Sequence, residues 1–115
     1  MEIKDEAKLL RVFVGESDIL HSIPVFEKIV IEAKKMGLAG ATVFKGAMGF
    51  GKNSRIHTAK VLRLSEDLPV IIEIVDECKK IEGFLPILEA VFSEANCGGL
   101  VTIEKAEIIM YTRSK

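Results

Sequence analysis

The feature that most constrains the fold is a pair of predicted strands that are apolar on both sides. Residues 8–15 and 68–76 are short and rich in β-branched residues, which predicts two strands. Alternate residues form one wholly apolar side in each strand: Leu10, Val12 and Val14, then Val70, Ile72 and Ile74. The opposite sides are apolar except for Arg11 and Glu73. Both faces of the sheet therefore need a cover, because large exposed apolar surfaces are rare in monomeric proteins.

The first half of the chain predicts a helix between two strands. Ser22 is a candidate N-cap for a helix that begins at the following Ile-Pro pair and stops at Gly37. A second strand is predicted over residues 41–48, and it leads directly into a glycine-rich loop. Residues 60–64 form either a short strand or a continuation of that loop.

The second half of the chain repeats the strand–helix–strand pattern. Asp76 is a candidate N-cap for the second helix, in which the interior Pro86 predicts a kink. The pair Gly98-Gly99 ends this segment, and residues 100–111 form a last strand.

The resulting order, βαββαβ, predicts one α+β domain over residues 1–115, a ferredoxin-like sandwich with a long loop between strands two and three. One layer of helices covers only one face of such a sheet. The other face carries Arg11 and Glu73, and we expect it to pack against another subunit with these charges paired. The alternative is a sparsely charged face that is exposed to solvent.

The positive charge of the chain is concentrated in its middle. No Asp or Glu lies between Glu32 and Glu66, whereas seven of the sixteen Lys and Arg residues do. The rest of the chain carries the other nine and all seventeen acidic residues, a formal charge of −8. A basic segment that contains several glycines is suited to attract anions. The alternative is that these charges only solvate a long loop.

The glycine-rich loop comes close to a nucleotide-binding P-loop. Gly46, Gly51 and Lys52 complete the GxxxxGK spacing, but Asn53 stands where a P-loop has the Ser or Thr that holds magnesium. A βαββαβ chain also lacks the large parallel sheet in which a P-loop occurs. The backbone amides could still bind an anion, because glycines let successive N–H groups point at one ligand.

The order of motifs resembles the nitrogen-regulatory P-II signalling proteins. The run ATVFKGAMGFGKNSRIHTAK at 41–60, followed by LPVIIEIVD at 68–76, matches a strand, a GFG turn, a basic loop and an IEIV strand in that family. The pattern is most similar to the P-II-like branch outside the nitrogen regulators themselves. The resemblance implies a homotrimer whose sheets face inward and which binds an adenine nucleotide in the clefts between subunits.

The resemblance also indicates candidate ligand-binding residues. They are the turn residues Thr42, Gly49, Phe50, Gly51 and Lys52, the loop residue Arg55, the second glycine loop Gly98 and Gly99, and the late Arg113. Three positions depart from the family, because Val70, Leu100 and Tyr111 replace basic residues there. These losses favour ADP or AMP over tightly bound ATP. Val61 stands near the tyrosine that some family members have modified, so that modification is not expected.

A non-enzymatic regulator is the function that these observations predict. Backbone amides of residues 49–51 would hold phosphate oxygens, and Lys52 and Arg113 would supply charge. The loop over residues 52–63 would change conformation when the ligand binds and would present itself to a partner. The family resemblance implies a membrane transporter or channel as that partner.

The alternative function is that of the trimeric divalent-cation-tolerance proteins, which share this fold. The sequence shows no cluster of His, Cys, Asp and Glu with metal-ligand spacing, so no metal ligands are predicted. No nucleophile or carboxylate is placed beside His21 or His57 by spacing, and no catalytic residue is predicted. Aromatic residues are too few for nucleic-acid binding on the sheet.

The sequence also predicts a cytoplasmic protein. The first eight residues are charged and lack the apolar region of a signal peptide. No apolar run approaches the roughly 18 residues of a membrane helix, so no direct insertion is expected. Cys78 and Cys97 have neither disulfide-scaffold nor metal-type spacing and are read as reduced thiols.

Overall fold

A four-stranded antiparallel sheet with two helices on one face organises the protein. The computed structural model describes residues 6–50, 67–112 and 114. Within them the elements are β1 (Ala7–Gly15), β2 (Ile19–Leu20), β3 (Ile23–Pro24), α1 (Val25–Lys35), β4 (Thr42–Lys45), β5 (Pro69–Glu77), α2 (Cys78–Ala95) and β6 (Leu100–Ala106). Residues 60–64, predicted as a strand or loop, lie outside the described residues.

The sheet has the strand order β4-β5-β1-β6, and every neighbouring pair is antiparallel. The order of the main elements and their pairing confirm the predicted ferredoxin-like α+β fold. Leu9, Arg11 and Phe13 lie directly opposite Val75, Glu73 and Ile71. The strand sides that combine apolar residues with one charge, Arg11 in β1 and Glu73 in β5, therefore lie on the same face of the sheet.

A short hairpin between β1 and α1 was not predicted. Ile19 pairs with Pro24 and Leu20 with Ile23, and the two turn residues, His21 and Ser22, have φ of 48° and 74°. Positive φ at both central residues is the geometry of the tight turns that join antiparallel strands. Strands of two residues are too short to show a periodicity in sequence.

Both predicted helix caps are wrong. Ser22 belongs to the hairpin turn, and the N-cap of α1 is Pro24, which has no side-chain cap. The amide of Val25 instead donates to the carbonyl of Asp18 at 2.8 Å. Strand β5 continues one residue past Asp76, so Glu77 is the N-cap of α2.

Asp76 is fully buried and serves a different purpose. Its Oδ2 accepts from the amide of Ala39 at 2.8 Å, and its Oδ1 accepts from the amide of Glu77 at 2.7 Å. Because both carboxylate oxygens are hydrogen-bonded, the burial of this charge is compensated. The side chain joins the segment before β4 to the end of β5.

The hydrophobic core lies between the sheet and the helices. The sheet contributes alternate residues, among them Leu10, Val12, Ile72 and Ile74, with 0–1% of their surface exposed. The helices contribute residues at helical spacing: Val25, Ile29 and Ala33 from α1, and Ile81, Phe84, Leu88 and Val91 from α2. Helix α2 continues through the exposed Pro86; the predicted kink stays a prediction. Helix α2 ends at Ala95, and its C-cap, Asn96, adopts the left-handed conformation common at helix C-termini.

Candidate functional site

The sheet face opposite the helices, which we call the open face, is a broad apolar surface with a charged centre. No described element covers it. Its apolar residues are Leu9, Phe13, Phe44, Ile71, Val75 and Leu100, identified by strand register and alternation. Phe44 is 47% exposed and Leu100 56% exposed. An apolar surface that is exposed in this way is typical of a protein interface.

The charged centre of the open face is an ion-pair network around Arg11. Its Nε lies 2.9 Å from Oε2 of Glu73, and its Nη1 pairs with Glu104 of β6. The hydrogen bond to Glu73, together with the charge of Glu104, raises the pKa of Arg11, although burial acts in the opposite direction. The predicted pairing of Arg11 with Glu73 is confirmed. Three charged groups that satisfy one another make the centre of the face compatible with contact to another surface.

The glycine turn, residues 46–50, packs on Pro69 at one end of the sheet. The amide of Gly46 donates to the carbonyl of Pro69 at 2.7 Å. A Cβ atom at Gly46 would lie 2.6 Å from Cγ of Pro69, and one at Gly49 would lie 3.0 Å from it. Glycine is therefore needed at both positions for close packing on Pro69, whether or not a ligand binds there. Phe50, at the end of this turn, is 68% exposed.

The same end of the sheet holds the turn after β1. Lys45 pairs with Glu16, so its charge is neutralised within the chain. Oδ1 of Asp67 accepts from the amide of Ser17 at 3.2 Å and from its hydroxyl at 2.8 Å. Lys45 of β4 and Asp67, which directly follows segment 51–66, are thus tied to one turn.

The second glycine loop also lies at this end but on the other edge of the sheet. Leu100, which follows it, pairs with Phe13. A Cβ atom at Gly99 would lie 2.4 Å from the ring of Phe92 and 2.9 Å from the carbonyl oxygen of Phe13, so packing excludes a larger residue. Strands β5 and β1 separate this loop from the glycine turn, a distance of about 14 Å at ~4.8 Å per strand. Within one chain the two glycine segments do not form a single cradle.

A cavity of about 530 Å³ lies at the opposite end of β4. It is lined by residues 39–42, by Glu73, Val75 and Asp76 of β5, and by residues 107–111. Thr42 is the one predicted ligand-binding residue that the described structure places in this lining. The described lining carries carboxylates and contains no Lys or Arg, so it suits an uncharged group better than a phosphate.

The other predicted ligand-binding residues lie away from the cavity or outside the described residues. Gly51, Lys52, Arg55 and Arg113 lie outside the described residues. The structure places Gly49 and Phe50 at one end of β4, Thr42 at the other end, and Gly98 and Gly99 beside β6. The site that the sequence groups together is therefore divided among three places within one chain.

Sequence reasoning missed the groups that shape the cavity. The hydroxyl of Tyr111 donates to the carbonyl of Ala39 at 2.9 Å, and the amide of the same alanine donates to the buried Asp76. The small residues Ala39, Gly40 and Ala41 were the available signal, because short side chains leave backbone groups accessible. Their partners are distant along the chain, at positions 76 and 111, so no local pattern links them.

Three further properties concern only the described residues. Among them, no group of three or more His, Cys, Asp or Glu side chains is arranged to hold a metal ion. None of the helices formed by these residues is both long and apolar enough to span a membrane. Cys78 and Cys97 are both half-buried, and burial raises the pKa of the Cys97 thiol.

The fold is that of PII-like proteins. A PII-like signalling protein of Thermus thermophilus superposes with a TM-score of 0.60 and 15% identity over 89% of this chain and 87% of that chain. The protein CPII of Thiomonas intermedia, solved bound to ADP, AMP and acetate, gives a TM-score of 0.54 and 18% identity over 90% of this chain and 89% of that chain. A phage SAM lyase in complex with S-methyl-5'-thioadenosine gives 0.52 and 14% identity over 91% and 85%.

Sequence similarity narrows this class to one family. Residues 7–108 match the family DUF190, described as "Uncharacterized ACR". A UPF0166 protein of Aquifex aeolicus is 40% identical over 102 residues, which cover 89% of this chain and 92% of that protein. The chain belongs to the DUF190 family.

Proposed function

We propose that this protein is a non-enzymatic PII-like regulator that assembles as a homotrimer through its open face and binds ADP or AMP between subunits. The cavity beside Thr42 takes the adenosine part of the ligand. The amides of a neighbouring subunit's glycine turn, with Lys52, Arg55 and Arg113, take the phosphates, because within one chain that turn lies at the other end of β4 from the cavity. The segment between strands β4 and β5 responds to the bound ligand and contacts a partner, for which the family resemblance suggests a membrane transporter or channel.

The observation that carries the proposal is the cavity itself. Its volume of about 530 Å³ falls within the roughly 300–1,000 Å³ of small-molecule sites. Its lining combines apolar side chains, the small residues Ala39, Gly40 and Ala41, and carboxylates, which suits a nucleobase and ribose and disfavours a polyphosphate. CPII was solved with ADP and AMP, and the lyase with S-methyl-5'-thioadenosine; an adenosine moiety is common to these ligands.

The proposed homotrimer is supported by the distance between the predicted ligand-binding residues within one chain. The second glycine loop is too far from the glycine turn to share a ligand within one chain. A neighbouring copy packed on the open face would supply what one chain lacks. The apolar residues of that face and its internally neutralised charges support such packing.

Calorimetric titration with ATP, ADP, AMP and adenosine tests the proposal. ADP and AMP should bind and should raise the unfolding temperature as their concentration rises. Lys52→Ala should weaken ADP binding by about 10- to 100-fold, since a hydrogen bond to a charged group contributes ~1.5–3 kcal/mol. The same change should leave adenosine binding unaltered. Lys105→Ala is the matched control, because this lysine is 80% exposed on the far edge strand.

Three results would overturn the proposal. Stabilisation by divalent ions alone, with no nucleotide binding, would favour the cation-tolerance function. Turnover of ATP that His57→Ala abolishes, or release of methylthioadenosine from S-adenosylmethionine, would make the protein an enzyme. A single-chain mass at micromolar concentration in light scattering would refute the assembly.

A further inference from the structure

The carboxyl-terminal strap, residues 107–112, forms one wall of the cavity without belonging to any strand or helix. It leaves the sheet after Ala106, which pairs with Ala7 of β1, and reaches the segment before β4 on the far side of β5. Its outer residues Ile109 and Met110 are 82% and 76% exposed. Packing therefore holds the strap only weakly.

One hydrogen bond fixes the far end of the strap. Among the described residues, the donation from the Tyr111 hydroxyl to the Ala39 carbonyl, at 2.9 Å, is the polar contact that joins the strap to the rest of the chain. The amide of Ala39 is itself held by the fully buried Asp76 at 2.8 Å. Within the part of the chain that the structure describes, this partly solvated bond attaches the strap to a rigid point of the core, and it is the kind of contact that opens locally.

We infer that Tyr111 is a latch: its hydroxyl holds the strap in place as a wall of the cavity, and a ligand enters and leaves faster when this bond opens. The inference rests on the proposed function for the identity of the ligand, but the latch itself is a property of the free protein. The residue positions the cavity wall and is not required to touch the ligand.

Tyr111→Phe tests the latch because it removes only the hydroxyl. Without ligand, amide hydrogen exchange at Ala39 should be about 2- to 10-fold faster in the variant, the factor expected for the loss of one hydrogen bond. Thr112→Val is the matched control, since it removes a hydroxyl from the next residue of the strap, and its exchange should equal that of the natural protein. If the amide of Ala39 exchanges at the same rate in Tyr111→Phe as in the natural protein, the latch is overturned.

Binding kinetics provide a second test, which distinguishes a latch from a direct contact between Tyr111 and the ligand. With AMP as the probe in stopped-flow experiments, Tyr111→Phe should accelerate association and dissociation by similar factors and change the dissociation constant less than either rate. A change in dissociation alone would make Tyr111 a ligand contact and would overturn the latch. Absence of AMP binding would refute the proposed nucleotide site, while the exchange experiment would still decide on the latch.

Discussion

The two faces of the sheet differ in how they are covered, although the same strands build both. On the helix side, Leu10, Val12, Ile72 and Ile74 expose 0–1% of their surface. On the open face, Phe44 and Leu100 are about half exposed, and a network of three charges occupies the centre. The chain therefore completes one core by itself and leaves a second apolar surface that its described elements do not cover.

The two faces of the sheet should therefore contribute to the stability of the protein in different ways. Burial on the helix side is complete in the single chain and stabilises the fold at any concentration. Burial on the open face depends on a partner surface, so its contribution should depend on protein concentration if the proposed assembly forms. Three changes separate the two contributions.

The largest effect should come from Ile72→Ala on the helix side. Because Ile72 is fully buried, loss of its side chain should lower the free energy of unfolding by about 2–5 kcal/mol in urea denaturation. Ile71→Ala is the matched control, with the same substitution one residue away on the half-buried open face. Its cost should be smaller in dilute protein and should grow with concentration. Equal costs at every concentration would show that the two faces do not differ in this way.

A smaller effect on folding, but a large one on assembly, is expected from Leu100→Glu. Leu100 is 56% exposed in the single chain, so the change should alter the unfolding free energy of dissociated chains by less than about 1 kcal/mol. It should nevertheless shift the mass in sedimentation experiments to that of one chain, because an interface core disfavours an unpaired charge. Ile19→Glu is the control, since Ile19 is 59% exposed on the hairpin, away from the open face. Dissociation by both variants alike would argue against this face as the interface.

The smallest effect should come from Arg11→Met. It leaves Glu73 and Glu104 facing each other, so the variant should associate more weakly than the natural protein at pH 7. Because salt screens the repulsion between the two carboxylates, association of the variant should recover as the salt concentration rises. The natural protein should not show this recovery, because its Arg11 pairs with both carboxylates. Lys28→Met, which breaks the pair of Lys28 with Glu32 on α1, is the control. Sedimentation as a function of salt concentration provides the measurement.

Most of the fold could be predicted because its main elements carry periodic patterns. Alternation in residues 8–15 and 68–76 located β1 and β5, and helical spacing located α1 and α2. The helix caps at Ser22 and Asp76 were assigned by local rules alone. Ser22 lies in the turn of an unpredicted hairpin, and Asp76 bonds a residue 37 positions away, so distant contacts overrode the local preference.

The candidate site could be predicted only in part. Thr42 was expected near the ligand and lines the cavity, and the pairing of Arg11 with Glu73 was read from strand alternation. The cavity as a whole was not foreseen, because residues 39–42 and 107–111 are separated by most of the chain. The prediction that the glycines bind phosphate stays a prediction, since Gly46, Gly49 and Gly99 each have a packing reason to lack a side chain.

The sequence by itself determined the order of the main strands and helices, the two-sided apolar strands and the excess of positive charge in the middle of the chain. These are properties of neighbouring residues and their spacing. Only the tertiary structure decided where Thr42 and the described glycines lie, which surface the described elements leave uncovered and that Tyr111 meets Ala39. Such contacts depend on how the strands pair and where the strap crosses, and residues distant along the chain meet only after the sheet has formed.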